Sequence, residues 1–94
     1  MELKVRAVAG TLESSDIYVV MEPGASGIEL ELKSTVADQY GDDIRKVVDE
    51  TLNEMGVKAA KITLDDKGAL DVVIKSRLQT AIMRAAQSKE FKWE

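Results

Sequence analysis

The stretch from Asp16 to Leu32 constrains the fold of this chain more than any other. Asp16-Ile17-Tyr18-Val19-Val20-Met21 is rich in β-formers and apolar on both faces, as a buried strand is. Glu22-Pro23-Gly24-Ala25-Ser26-Gly27 then interrupts it with turn residues. Beyond the break, Ile28, Leu30 and Leu32 alternate with Glu29, Glu31 and Lys33, the period-two pattern of a half-buried strand. Two strands around a short polar break predict a β-hairpin over about residues 16–33. That signal excludes an all-helical bundle.

The remaining segments divide by period. Val36, Tyr40, Ile44, Val47, Val48, Leu52 and Met55 recur at spacings of three and four, which predicts an amphipathic helix over about 36–55. Ser34-Thr35 offers an N-cap, with Asp38 in the capping-box position, and Gly56 suits the C-terminal cap. Asp42, Arg45, Lys46, Asp49 and Asn53 form the solvated face opposite the stripe. Ala60, Ile62 and Leu64 alternate with Lys61 and Thr63 as another strand, which Asp65-Asp66-Lys67-Gly68 ends. From Leu70 two patterns compete. Leu70, Val72 and Ile74 suit a strand. Leu70, Val73, Ile74, Arg77, Leu78, Ala81, Ile82 and Ala85 form one helical stripe over four turns. The longer pattern explains more residues and predicts a helix over about 69–87. Near the start, Leu3, Val5 and Ala7 alternate with Lys4 and Arg6, which suits a short strand or a helical turn.

The 94 residues fall within the range of one domain, 1–94. The expected architecture is α+β: a small mixed or antiparallel sheet of three to four strands covered by two helices. Residues 88–94 carry no apolar stripe and are expected to form a flexible tail. Phe91 and Trp93 within it read equally as interface anchors or as side chains folded back on their own domain.

Chemistry is bounded mainly by what the chain lacks. With no His and no Cys, it has no ordinary general base, no thiolate and no disulfide. A net charge of −4 argues against tracking nucleic-acid phosphates. No apolar run approaches the roughly 20 residues of a membrane span, and no signal-peptide pattern opens the chain, so a cytoplasmic protein is expected. Asp65, Asp66 and Asp71 lack the EF-hand pattern of a metal site, and Asp65 and Asp66 are expected to cap a helix and complement its dipole. Gly24 and Gly27 precede no Lys-Ser/Thr pair and make no phosphate-binding loop. No catalytic residue is identified.

One polar connection stands out. Gly10-Thr11-Leu12-Glu13-Ser14-Ser15-Asp16 holds two serines and no base to activate either. Such a serine is a poor nucleophile but a good attachment point, where another enzyme supplies the chemistry. Read locally, the simpler reading is a turn serine bonded to its own backbone. Glu13 and Asp16 beside it read as solvated loop charges. If the stretch were extended, Ser14 and Ser15 would point to opposite sides.

Ala7-Val8-Ala9-Gly10-Thr11-Leu12-Glu13-Ser14 closely resembles the prosthetic-group attachment segment of the acyl carrier proteins of citrate lyase, the gamma chains. Asp65-Asp66-Lys67-Gly68-Ala69-Leu70-Asp71, Gln39-Tyr40-Gly41-Asp42 and Trp93-Glu94 resemble further blocks of that family, so the likeness runs along the whole chain. It implies that Ser14, not Ser15, carries 2'-(5''-phosphoribosyl)-3'-dephospho-coenzyme A through a phosphodiester. It also implies a non-catalytic subunit whose prosthetic thiol presents acetyl and citryl thioesters to the alpha subunit (acyl transfer) and the beta subunit (citryl cleavage). A prosthetic-group transferase (holo-synthase) and a ligase that acetylates the thiol are the further implied partners. The alternatives are a malonate decarboxylase-type carrier and an unmodified acidic interaction module.

Overall fold

The computed structural model describes residues 1–34 and 37–87, with side chains in the first helix described from Tyr40 onward. The expected cap, with Thr35 and the Asp38 side chain, and the tail with Phe91 and Trp93 lie outside what is described. Six elements follow in order: β1 (Ala7–Gly10), β2 (Ile17–Pro23), β3 (Gly27–Ser34), α1 (Ala37–Glu54), β4 (Ala59–Asp66) and α2 (Asp71–Ala85). The architecture is α+β, a four-stranded mixed sheet with two helices.

The sheet order is β1-β2-β4-β3. This corrects the hairpin expected over 16–33. Both strands form where the pattern placed them, yet they do not pair with each other. β4 lies between them, antiparallel to β2 and parallel to β3. Alternation and turn chemistry report strands and a chain reversal; they do not report the neighbour. Two features of the structure accommodate the insertion. The chain from β3 through α1 to β4 forms a crossover unit that returns β4 parallel to its predecessor. The connection after Pro23 then passes over β4 so closely that a Cβ on Gly24 would sit 2.8 Å from the Ala60 nitrogen.

Strand register sorts the faces. Ala9, Val19 and Leu64 share a row, as do Ala7, Met21, Ile62 and Leu30, and these rows turn toward the helices. Ile17, Val19, Met21, Ala60, Ile62 and Leu64 are buried there against Ile44, Val48 and Leu52 of α1 and Ile74, Leu78, Ala81, Ile82 and Ala85 of α2. Each large aliphatic side chain so buried contributes roughly 1.5–3 kcal/mol of transfer free energy. Charged Glu29, Glu31 and Lys33 occupy the other face of the edge strand β3, where they oppose edge-to-edge association.

The helices form close to the predicted bounds, and α2 resolves the competition at Leu70–Ile74. Val72 is 71% exposed, where a buried strand would have hidden it. The end of α1 is built as the sequence suggested. Gly56 has φ +67, its N–H donates to Asn53 O (3.2 Å), and Val57 N–H donates to Leu52 O (2.9 Å). This pair of bonds is a Schellman motif, sealed by buried Leu52 and Val57. Thr51 is a buried residue the pattern missed; its hydroxyl donates to Val47 O (2.7 Å), which satisfies it within its own helix. At the N-terminus the expectation fails in detail. Residues Leu3–Arg6 lie outside the strand, which begins at Ala7. Lys4 and Val5 instead donate their N–H groups to Ala85 O at the end of α2 (2.8 and 3.0 Å).

Candidate functional site

The connection between β1 and β2 turns on four residues. Asp16 N–H donates to Glu13 O (3.2 Å), closing a tight turn with Ser14 and Ser15 at its corners. Ser15 has φ +65, which non-glycine residues rarely adopt. Its N–H donates to Lys67 O (2.8 Å), while Lys67 N–H donates to Asp16 O (2.9 Å). Ser15 and Asp16 thus oppose the single residue Lys67, in the manner of a bulge whose first position usually belongs to glycine. The turn is therefore an extension of the β2–β4 ladder, pinned to the sheet from one side. Because residues 13–16 turn, the alternation that would have sent Ser14 and Ser15 to opposite sides does not operate. Both are exposed.

Gly10 sets the other flank. Its φ is +88, and a Cβ there would lie 1.8 Å from Ile17 O and 3.5 Å from Arg77 Cδ. No side chain fits between β1 and the start of β2, so the two ends of the loop close directly on each other.

Asp16 clamps the loop shut. Thr11 Oγ1 donates to its Oδ2 (2.7 Å), and Arg77 of α2 reaches both oxygens, Nε to Oδ1 (3.2 Å) and Nη2 to Oδ2 (3.3 Å). Ile17 N–H donates to Oδ1 (2.7 Å), and Glu13 N–H donates to Thr11 Oγ1 (3.2 Å). The Thr11 hydroxyl first, then the Arg77 guanidinium and the Ile17 amide, hold the Asp16 carboxyl down at about 2, below its ordinary 3.8. Asp16 is thus a structural anchor, which corrects the reading of it as a solvated loop charge. Glu13 is exposed, as expected. Arg77 was missed as a partner although it stood in the apolar stripe of α2; a cation in an otherwise apolar stripe was the available signal.

The second acidic block does different work from that expected. α2 starts after Leu70, with no side-chain cap. Asp66 is buried and closes the turn before the helix: Oδ1 accepts Ala69 N–H (2.9 Å) and Oδ2 accepts the Ser34 hydroxyl (2.8 Å). The parallel register that sets Ser34 beside Asp66 makes this possible. Asp65 pairs with Lys67 (3.2 Å) at the surface, and only Asp71 lies in the first turn of α2. Among the described residues, no group of three or more His, Cys, Asp or Glu could hold a metal ion, and no helix is long and apolar enough to cross a membrane.

The site is thus an exposed Ser14 on a turn held by β4, Gly10 and the Asp16 clamp. Among the described residues nothing hydrogen-bonds its hydroxyl. A phosphodiester at that oxygen fits: it would displace no bond and meet no buried surface.

Comparison with known proteins gives the chain a family. A family model described as "ACP: Malonate decarboxylase delta subunit (MdcD)" matches residues 4–85. The citrate lyase acyl carrier protein of Klebsiella pneumoniae is 51% identical over 94 residues, covering 99% of this chain and 97% of the relative. That of Streptococcus mutans is 52% identical over 95 residues, covering 100% and 93%. The chain belongs to the citrate lyase acyl carrier protein family. Its fold is also similar to a chain of a solved Pseudomonas malonate decarboxylase hetero-tetramer in complex with malonate. The TM-score there is 0.73 at 23% identity, over 90% of this chain and 88% of the other. That likeness is one of fold.

Proposed function

We propose that this chain is the acyl carrier subunit of a citrate lyase, with Ser14 as its attachment point for 2'-(5''-phosphoribosyl)-3'-dephospho-coenzyme A. The observation that carries this reading is the exposed Ser14 hydroxyl, unbonded among the described residues, on a turn that Thr11, Asp16 and the Ser15 amide hold in place. Family membership supports the same reading. The attached group supplies a thiol that holds acyl groups as thioesters. The protein supplies what surrounds it. Gly10 and the Asp16–Arg77 clamp keep the turn from collapsing onto the sheet, so the hydroxyl stays available to a transferase. Ser15, one position away, is also exposed but occupies the strained bulge position, where movement would break the Lys67 bonds.

Without His, Cys or a buried carboxylate pair, the chain has no acid–base machinery at this loop. Its role in citrate cleavage to oxaloacetate and acetate is to tether and orient. A tethered thiol visits two active sites at high effective concentration, which free thiol could not match. The alpha and beta subunits would receive the arm in turn, the holo-synthase would install it and the ligase would acetylate it, all in the cytoplasm. A malonate decarboxylase carrier is the second reading, favoured by the matched family model and the shared fold. The roughly 50% identity to citrate lyase carriers weighs against it.

The test is intact-mass analysis of the chain made together with its transferase. The expected result is a mass gain of the phosphoribosyl-dephospho-coenzyme A group, absent in Ser14→Ala and retained in Ser15→Ala. Ser14→Ala should keep its stability within about 0.5 kcal/mol, as exposed substitutions usually do. An unmodified mass beside an active transferase refutes the reading.

A further inference from the structure

A groove of about 590 Å³ opens between Tyr40, Asp43 and Ile44 of α1 and the start of α2. We propose that it receives the neutral, amide-bearing part of the prosthetic arm, so that the carrier shelters its own thiol between visits to partner active sites. This rests on Ser14 as the attachment point.

Position is the first argument. Gly68 lines the groove and adjoins Lys67, which is hydrogen-bonded to Ser15 and Asp16 in the attachment turn. The path from Ser14 to Gly68 is two chain steps and one cross-strand step, at most about 13 Å by ordinary Cα spacings. An arm on Ser14 therefore starts within about 13 Å of a residue that lines the groove. Gly68 has φ +89 and no atom within 4 Å of where its Cβ would be, so the rim on that side is open.

Surface character is the second. Ile44 is buried at the base, while Tyr40 and Leu70 stand 53% and 71% exposed at the mouth. Together they give the cleft apolar walls beside its carboxylates, the mixed lining that a ligand with methylenes and amides can use. A tethered arm of amides and methylenes covers it without the translational and rotational cost of recruiting a separate molecule.

Charge chooses which part of the arm enters. Asp43, Asp66 and Asp71 face the groove, so phosphates are repelled and remain near the loop. A neutral amide suits both poles of the site. Leu70 caps α2 with no side-chain bond, which leaves the N–H groups of Asp71 and Val72 for an external carbonyl. Carboxylates accept the amide N–H. The same charges favour an arm bearing a neutral acetyl group over one bearing citryl carboxylates, so the groove holds the acetylated arm and releases the citryl arm.

The experiment compares amide NMR spectra of the full chain before and after modification, with intact mass confirming that Ser14 is loaded. Shifts at Tyr40, Ile44 and 68–71, beyond those at 12–16, are expected. The loaded thiol should also react with iodoacetamide about tenfold more slowly than free pantetheine, the factor for a groove filled nine-tenths of the time. Leu70→Glu, at an exposed position, should restore the rate to within about twofold and erase the shifts at 68–71. Confirmed loading with shifts confined to 12–16 and an unprotected thiol overturns the groove while leaving the attachment site intact. Shifts that grow with protein concentration would place the arm on a second copy and overturn it too. Failure of loading refutes the attachment reading itself.

Discussion

Replacing Gly10 with alanine puts a methyl group where the backbone of β2 already stands. The added Cβ would lie 1.8 Å from Ile17 O and 3.0 Å from Ile17 C, and the residue holds φ +88. Two costs follow. Left-handed backbone at a residue with a Cβ costs about 1–2 kcal/mol. Overpacking against atoms that cannot rotate away adds about 1–3 kcal/mol. The clash is with main chain of a buried strand, so relief requires moving Ile17, itself fully buried. The expected loss is therefore about 2–5 kcal/mol, a large share of the ~5–15 kcal/mol typical of a folded domain. Gly68→Ala is the matched control. Its φ is +89, but nothing lies within 4 Å, so only the backbone cost applies. Urea unfolding of both variants measures the difference, with the slope against denaturant checked for constancy. In thermal melts each kcal/mol should appear as about 4–8 °C in a domain of this size. Equal losses in the two variants would refute the reasoning, because the Ile17 contact would then relax at no cost. A Gly10→Ala protein that folds but loads poorly at Ser14 would show that the same close approach also sets the presentation of the loop.

Two further outcomes follow from the same loop. The depressed Asp16 carboxyl contributes stability that is complete above its ordinary 3.8 and is lost as pH falls toward about 2. The stability gap between wild type and Asp16→Asn should therefore be widest near neutral pH and shrink across that interval. A gap independent of pH would mean that charge plays no part in the clamp. Ser15→Gly should raise stability by about 0.5–1 kcal/mol, since relief of the left-handed strain exceeds the added chain entropy of glycine; a loss in calorimetry would show that the Ser15 side chain makes a contribution that its geometry does not reveal.

The sequence by itself determined the elements. Ile17–Met21, the alternation from Ile28 to Leu32, the stripe from Ile44 to Leu52 and the stripe from Ile74 to Ala85 all became what their periods required, because periodicity records which side of each element is dry. Gly56 was legible as a helix end because the left-handed cap demands glycine there. The serine loop was legible as a polar connection, and its chain-long resemblance pointed to Ser14.

Only the tertiary structure decided which elements touch. Nothing in the order of the residues announces that β4 parts β2 from β3, since a strand's pattern is the same whichever neighbour it has. That insertion brings Lys67 to the attachment turn and Asp66 to Ser34. It also brings the segment that leads into α2 beside the loop. The Asp16–Arg77 clamp joins residues 61 apart in the chain, and a solvated charge and a clamped one look alike until the partner's position is known. Local patterns fix local conformation through sterics and hydrophobicity. Long-range juxtaposition is fixed by packing, where many weak contacts are satisfied together.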